Sequence, residues 1–119
     1  MNDLANLFVW RREGVVVAGV TGEIDVSNAA ELERAIAAEL DDEAAGLVVD
    51  LAGLEFMDSS GVHLLFALAR RLAQRGLGFA LVMPPDTLPR RVLELSGPEP
   101  EGWLHATEEE AIAAALAAA

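Results

Sequence analysis

The stretch Leu47-Val48-Val49-Asp50-Leu51 predicts a central strand of a sheet that is covered by helices. Its side chains are apolar on both faces except at Asp50, as is typical of a strand buried on two sides. A short loop over residues 52–57 and the segment Asp58-Ser59-Ser60-Gly61-Val62 follow. Apolar residues then recur with a 3.6-residue period over residues 61–75, which predicts an amphipathic helix packed on that strand.

The residues before the central strand predict a hairpin and a first helix. Two runs of mainly β-branched or aromatic residues, 7–10 and 15–20, flank Arg11-Arg12-Glu13-Gly14, a typical hairpin turn. Residues 21–25 break the strand pattern, and Asn28 and Glu31 have the spacing of a capping box. We therefore expect two antiparallel strands followed by a helix.

The residues after the second helix predict further alternation of strands and helices. A strand over residues 77–83 precedes a short helix over residues 88–95, and a last short strand over residues 103–105 precedes a helix capped by Thr107. The predicted order is ββαβαβαβα, an α/β fold with a mixed sheet, an antiparallel N-terminal pair and crossover helices. At 119 residues we expect a single domain over residues 1–119.

The composition disfavours several classes of function. Twenty acidic residues against eight arginines give a formal charge of −12, which opposes binding to nucleic acid or to an anionic membrane surface. There is no cysteine, which excludes disulfides and thiolate metal sites. The chain has no signal-like start and no apolar run of membrane-spanning length, so we expect a cytoplasmic protein without direct membrane insertion. Neither a phosphate-binding loop nor a dinucleotide fingerprint occurs, and the carboxylates are scattered, so we expect no cofactor and no metal.

Ser59 and Ser60 stand where a predicted helix begins. Backbone N–H groups in the first turn of a helix have no partner inside the helix and favour negative charge. A phosphate on either hydroxyl would therefore be tolerated locally. Capping and turn chemistry alone would also explain these residue types there.

A serine hydrolase is the alternative from another class. Ser59 or Ser60 would be the nucleophile and His63 or His105 the base. The serines lack the Gly-x-Ser-x-Gly elbow, and His63 follows them so closely that a triad is hard to build on one helix. We therefore expect no enzymatic activity.

Four blocks of the chain resemble the successive signatures of the STAS domain. They are Gly22-Glu23-Ile24-Asp25, Val48-Val49-Asp50-Leu51, Phe56-Met57-Asp58-Ser59-Ser60-Gly61-Val62 and Arg90-Arg91-Val92-Leu93-Glu94-Leu95-Ser96-Gly97. They occur in the family's order and spacing, and the resemblance covers roughly residues 7 to 118. Within the family the chain resembles a stand-alone bacterial anti-sigma factor antagonist.

The resemblance implies a partner switch controlled by phosphorylation. The unphosphorylated antagonist would bind an anti-sigma factor that is also a serine kinase of the histidine-kinase-like ATPase fold, and so free a sigma factor for transcription. The kinase would use ATP and Mg²⁺ to phosphorylate Ser59, and a PP2C-type phosphatase would reverse the reaction. The same resemblance leaves open an accessory subunit of a lipid ABC transporter or of a stress-sensing complex.

The resemblance also implies roles for individual residues around Ser59. Asp25 and Asp58 match positions close to the serine, and Gly61 would let the backbone turn tightly into the helix. Ser60 would cap the helix. Together with Val62, these residues form the expected surface for switching and partner binding.

Overall fold

The computed structural model describes residues 4–97 and 102–118 as a six-stranded mixed sheet with helices on both faces. The order of strands across the sheet is β1-β2-β3-β5-β6, and β4 pairs with β2. The strands are β1 (Ala5–Arg12), β2 (Val15–Ile24), β3 (Gly46–Asp50), β4 (Leu54–Met57), β5 (Gly78–Val82) and β6 (Leu104–His105). The helices are α1 (Ala29–Ala37), α2 (Ser59–Gln74), α3 (Leu88–Leu95) and α4 (Glu108–Ala117).

The predicted N-terminal hairpin is confirmed, with longer strands than the sequence indicated. β1 and β2 pair antiparallel from Ala5 opposite Gly22 to Arg12 opposite Val15. The connecting turn places both Glu13 and Gly14 at positive φ, 54° and 83°. Two central residues at positive φ match the right-handed twist of the flanking strands, so the turn closes the hairpin tightly.

β2 continues through residues 21–24, where we expected the strand pattern to break. It pairs in parallel first with β3, from Val15 opposite Gly46 to Gly19 opposite Asp50. Beyond β3 it pairs in parallel with β4, from Gly22 opposite Leu54 to Ile24 opposite Met57, and a shift in register between Gly22 and Glu23 lies within this pairing. The expectation was wrong because pairing with the neighbouring strands β1 and β4 continues β2 through this polar, glycine-containing stretch, which has no apolar strand pattern of its own.

The loop predicted over residues 52–57 contains the strand β4. The correct order is therefore ββαββαβαβα, one strand more than predicted. Leu54 and Met57 are buried, whereas Glu55 and Phe56 between them are exposed. A four-residue strand with this pattern carries no period-two signal, which explains why the sequence did not reveal it.

The helices divide between the two faces of the sheet. α1, α2 and α3 cover one face, over a core that includes Leu32, Leu47, Leu65 and Leu93. α4 covers part of the other face, where Ala111, Ile112 and Ala115 pack on a smaller cluster from β2, β3 and β5. Within the described residues no helix is long and apolar enough to cross a membrane.

Candidate functional site

The ends of β2 and β4 bring Asp25 and Asp58 to the same edge of the sheet. Ile24 pairs with Met57 in parallel, and Asp58 N donates a hydrogen bond to the Ile24 carbonyl at 3.3 Å. Each aspartate directly follows its paired strand. Because parallel strands end at a common edge, this register places Asp25 beside the start of α2, as we expected.

Asp58, and not Ser60, caps α2. Asp58 has extended backbone angles, and its Oδ1 accepts a hydrogen bond from Ser60 N at 2.8 Å. A carboxylate in this position satisfies an otherwise unpaired N–H and faces the positive end of the helix dipole. The expected capping role of Ser60 is therefore wrong, because Ser60 lies inside the first turn.

Ser59 is the first residue of α2 and is exposed. The hydroxyl of Ser59 forms no hydrogen bond with any residue in the described ranges. It stands one residue after the Asp58 carboxylate. An incoming enzyme could reach this oxygen without first breaking a contact of the fold.

The turn that carries Asp25 is held by Asn28, which is 1% exposed. Asn28 Oδ1 accepts from Asp25 N at 3.0 Å, and Asn28 Nδ2 donates to the Glu23 carbonyl at 2.9 Å. Asn28 is the N-cap residue of α1, but its side chain makes no capping hydrogen bond. The predicted capping box is thus wrong in its Asn28 part, since the amide fixes the preceding turn instead.

Gly61 and Val62 face the interior and not a partner. Val62 is 4% exposed and belongs to the main core. A Cβ at Gly61 would lie 2.9 Å from both Cβ and Sδ of Met57. Gly61 therefore permits close packing of α2 on β4, and the expected surface for these two residues is corrected to a buried one.

A groove between α1 and α2 opens beside Ser60. Its volume is ≈ 440 Å³. The walls come from the Asp25 turn, from α1 and from the exposed side of α2: Val26, Ala29, Ala30, Glu33, Ser60, His63, Leu64, Phe66, Ala67 and Arg70. Val26 at its end is 83% exposed, although it is apolar. We call this the α1–α2 groove.

Most of the residues that line this groove were not predicted from the sequence. On α2, Ser60, His63, Ala67 and Arg70 follow one another at spacings of three and four, so helical periodicity alone would have placed them on one face. The contribution of α1 could not be found in that way. It depends on how the two helices pack across β2 and β4.

The histidines do not form the catalytic arrangement that a serine hydrolase needs. His63 lines the α1–α2 groove without a hydrogen bond to either serine in the part of the chain described. His105 lies on β6, and its Nε2 contacts the Gly102 carbonyl at 2.9 Å. No group of three or more potential metal ligands occurs among the described residues.

Comparison with known proteins agrees with this fold. The model of the STAS domain matches residues 9–111. The anti-sigma-F factor antagonist RsfB of Mycobacterium tuberculosis is 33% identical over 110 residues, covering 92% of this chain and 88% of RsfB. The crystal structure of an anti-sigma factor antagonist from Mycobacterium paratuberculosis superposes with a TM-score of 0.74 at 32% identity, covering 93% of each chain.

A second structural relative has been solved in two states. The phosphorylated form of the Bacillus cell fate determinant SpoIIAA matches with a TM-score of 0.65 at 28% identity, covering 91% of this chain and 97% of SpoIIAA. Its unphosphorylated form matches with a TM-score of 0.66. The family model and these relatives match most of the chain, and the chain belongs to the STAS domain family.

Proposed function

We propose that this protein is an anti-sigma factor antagonist whose binding to an anti-sigma factor is controlled by phosphorylation of Ser59. The exposed Ser59 hydroxyl, which follows the Asp58 cap and directly precedes Ser60 of the α1–α2 groove, carries this proposal. The antagonist itself performs no catalysis. Binding of the anti-sigma factor frees a sigma factor for transcription in the cytoplasm.

The local charges make Ser59 an effective position for a switch. A phosphate adds about −1.5 to −2 charges at pH 7. The Asp58 carboxylate is adjacent, and Asp25 follows the neighbouring strand. A partner surface that fits an uncharged hydroxyl would meet three acidic groups after phosphorylation, so repulsion and desolvation weaken the complex.

The helix can carry the phosphate without unfolding. Residues in the first turn of α2 have backbone N–H groups that favour an anion. The described fold also matches the phosphorylated and unphosphorylated forms of SpoIIAA almost equally well, with TM-scores of 0.65 and 0.66. Both observations support a switch that changes the surface and leaves the fold intact.

The α1–α2 groove is the proposed contact surface for the partner. It combines apolar walls with the exposed Val26 side chain and lies next to the switch serine.

An arginine in place of Ala30, an exposed residue of α1, would fill the groove. We expect Ala30→Arg to weaken partner binding about tenfold or more, as loss of a central interface contact does. Ala113→Arg, on the exposed side of α4, is the matched control and should bind normally.

The enzymes that set the phosphorylation state belong to the partners. We propose a serine kinase of the histidine-kinase-like ATPase fold, combined with the anti-sigma factor in one protein and dependent on ATP and Mg²⁺. A PP2C-type phosphatase would remove the phosphate. Ser59 is the acceptor, and the α2 cap formed by Asp58 holds it at the surface.

A pull-down from the native cell tests the proposal. The baits are wild type, Ser59→Ala and Ser59→Asp, and the readouts are identified partners and mapped phosphosites. We expect an ATPase-fold kinase with wild type and Ser59→Ala and its loss with Ser59→Asp. Ser96→Ala and Ser96→Asp are matched controls, because Ser96 is an exposed serine at the end of α3.

Two results would contradict the proposal. One is phosphate on the chain with none on Ser59. The other is recovery of transporter or stress-complex subunits by all baits, regardless of the residue at position 59.

A further inference from the structure

The face of the sheet opposite the α1–α2 groove is only partly covered. Phe8 pairs with Gly19, and Gly19 pairs with Asp50, so these three residues form a row across β1, β2 and β3. Directly paired residues point to the same face. Val15, Val17 and Val48 on this face are buried under α4, whereas Phe8 is 55% exposed. α4 therefore leaves the row uncovered.

A groove of ≈ 430 Å³ lies over this row. Phe8 and Trp10 form one wall, Gly19 forms the floor, and Asp50 lies on the opposite side. A Cβ at Gly19 would be 2.9 Å from Cη2 of Trp10, so the indole lies against the bare backbone there. Trp10 Nε1 donates a hydrogen bond to Glu108 Oε1 at 3.0 Å, which fixes the ring. We call this the aromatic groove.

Asp50 brings a carboxylate into the aromatic groove without a cation to balance it. Its Oδ1 accepts a hydrogen bond from Ala52 N at 2.9 Å. Burial raises the pKa of Asp50 above its usual value, and the nearby Glu108 carboxylate raises that pKa further. Arg12 pairs with Glu108 at 3.5 Å, but no arginine of the described residues forms an ion pair with Asp50.

Two exposed aromatic rings beside a carboxylate that has no cationic partner are suited to binding an arginine side chain. A guanidinium group stacks on aromatic faces and forms paired hydrogen bonds to a carboxylate. An ammonium group lacks the planar shape that suits both contacts. The formal charge of −12 also favours a basic partner over an acidic one.

We propose that the aromatic groove binds an arginine side chain of a partner polypeptide. The guanidinium lies between Asp50 and the rings of Phe8 and Trp10. The exposed Phe8 at the rim leaves room for the polypeptide that carries the arginine. This second site lies on the opposite face of the sheet from the α1–α2 groove, so it can be occupied whether or not Ser59 is phosphorylated.

NMR titration of the ¹⁵N-labelled full chain tests this site. The probe is N-acetyl-leucyl-arginine amide, and the control probe carries citrulline, the uncharged isostere of arginine. We expect the arginine probe to shift the amide signals of Gly19, Asp50 and Gly53. We expect the citrulline probe to bind about tenfold more weakly, because the ion pair and the cation–π contact are lost.

Matched variants locate the interaction. Asp50→Asn keeps an oxygen for the Ala52 N–H and should weaken the arginine probe about as much as citrulline does. Asp42→Asn, at an exposed aspartate in the loop after α1, should bind like wild type. Phe8→Leu removes a ring at an exposed position and should also weaken binding. Urea unfolding of each variant verifies that it folds.

Three outcomes would overturn the proposal. The first is equal binding of the arginine and citrulline probes, and the second is the absence of shifts at Gly19, Asp50 and Gly53. The third is a dimer in sedimentation velocity that Phe8→Leu dissociates, since a second copy of the chain would then occupy the groove.

Discussion

The fold places the Asp50 carboxylate where its charged form lowers the stability of the protein. Asp50 ends β3, which is otherwise apolar and buried. Burial disfavours its charged form, and Glu108 adds repulsion, so its pKa in the folded protein lies above the usual 3.8. A carboxyl group with a raised folded pKa lowers stability as the pH rises from its unfolded pKa through its folded pKa. The full penalty is present once the pH exceeds the folded pKa.

We therefore expect Asp50→Asn to stabilise the protein at pH 7. The asparagine oxygen can still accept from Ala52 N, and its amide carries no charge. The urea midpoint of the variant should exceed that of wild type at pH 7. The difference should vanish near pH 3, where Asp50 is protonated in both the folded and the unfolded state.

Asp42→Asn is the control for this comparison, because it removes the same charge from an exposed site. A midpoint for Asp50→Asn at or below wild type at pH 7 would show that the carboxylate is not destabilising. The Asp50 carboxylate would then need no functional explanation.

Among the elements, β2 determines where Asp25 lies and, through its pairing with β4, where Asp58 and Ser59 lie. It pairs with β1 along one edge and with β3 and then β4 along the other. Gly22 is the first residue of β2 that pairs with β4, opposite Leu54. Gly22 has φ 90°, and a Cβ there would lie 2.2 Å from the Leu4 carbonyl oxygen. This position therefore accepts glycine alone.

Gly22→Ala should destabilise the protein more than the same change at another glycine of positive φ. We expect a loss of at least about 2 kcal/mol in the free energy of unfolding from strain and the clash with Leu4. Gly76 follows α2 at φ 69° with nothing within 4 Å of an added Cβ. Gly76→Ala should cost only about 1 kcal/mol. Equal losses in urea unfolding would show that the close approach to Leu4 has no energetic role.

Elements with strong periodicity or strong turn chemistry could be predicted from the sequence. The hairpin, β3 and α2 are of this kind, and Thr107 caps α4 by accepting from Glu110 N as predicted. β4 was missed because it is held by parallel pairing with β2 and has no periodic pattern of its own. The caps at Asn28 and Ser60 were misassigned because several adjacent polar residues could each accept the same hydrogen bonds.

Only those residues of the candidate site that lie in short contiguous segments of the sequence could be predicted. Ser59, Asp58 and Asp25 were found because they lie in recognisable segments, and the sheet register then brings those segments together. The α1–α2 groove was not found, because its walls come from two helices that are distant in sequence. The aromatic groove was not found because it forms only when the aromatic side chains of β1 lie beside Gly19 of β2, which has no side chain of its own.

For the whole molecule, the dominant electrostatic feature is its large net negative charge. The full chain has twenty acidic and eight basic residues, and the described residues extend over 30 × 28 × 22 Å. Surface ion pairs such as Arg11 with Asp41 at 2.9 Å and Arg71 with Glu33 at 3.3 Å contribute little each. Net repulsion among the carboxylates outweighs them.

Salt should therefore stabilise the protein. Raising NaCl from about 0.01 M to about 1 M shortens the Debye length from about 30 Å, the size of the molecule, to about 3 Å. We expect the urea midpoint at pH 7 to rise over this range, because repulsion is screened more than the few ion pairs are weakened. KCl should act in the same way. A falling midpoint would show that ion pairs dominate.

The proposed switch at Ser59 is tested most directly by the affinity of the phosphorylated protein for the anti-sigma factor. Chains carrying phosphoserine at position 59, phosphoserine at position 96, or no phosphate can be titrated calorimetrically against the kinase recovered in the pull-down, without ATP. We predict that phosphate on Ser59 weakens binding roughly 5–150-fold, as expected for coupled sites, and that phosphate on Ser96 changes it little. Equal affinities for the unmodified and the Ser59-phosphorylated chains would contradict the proposed switch.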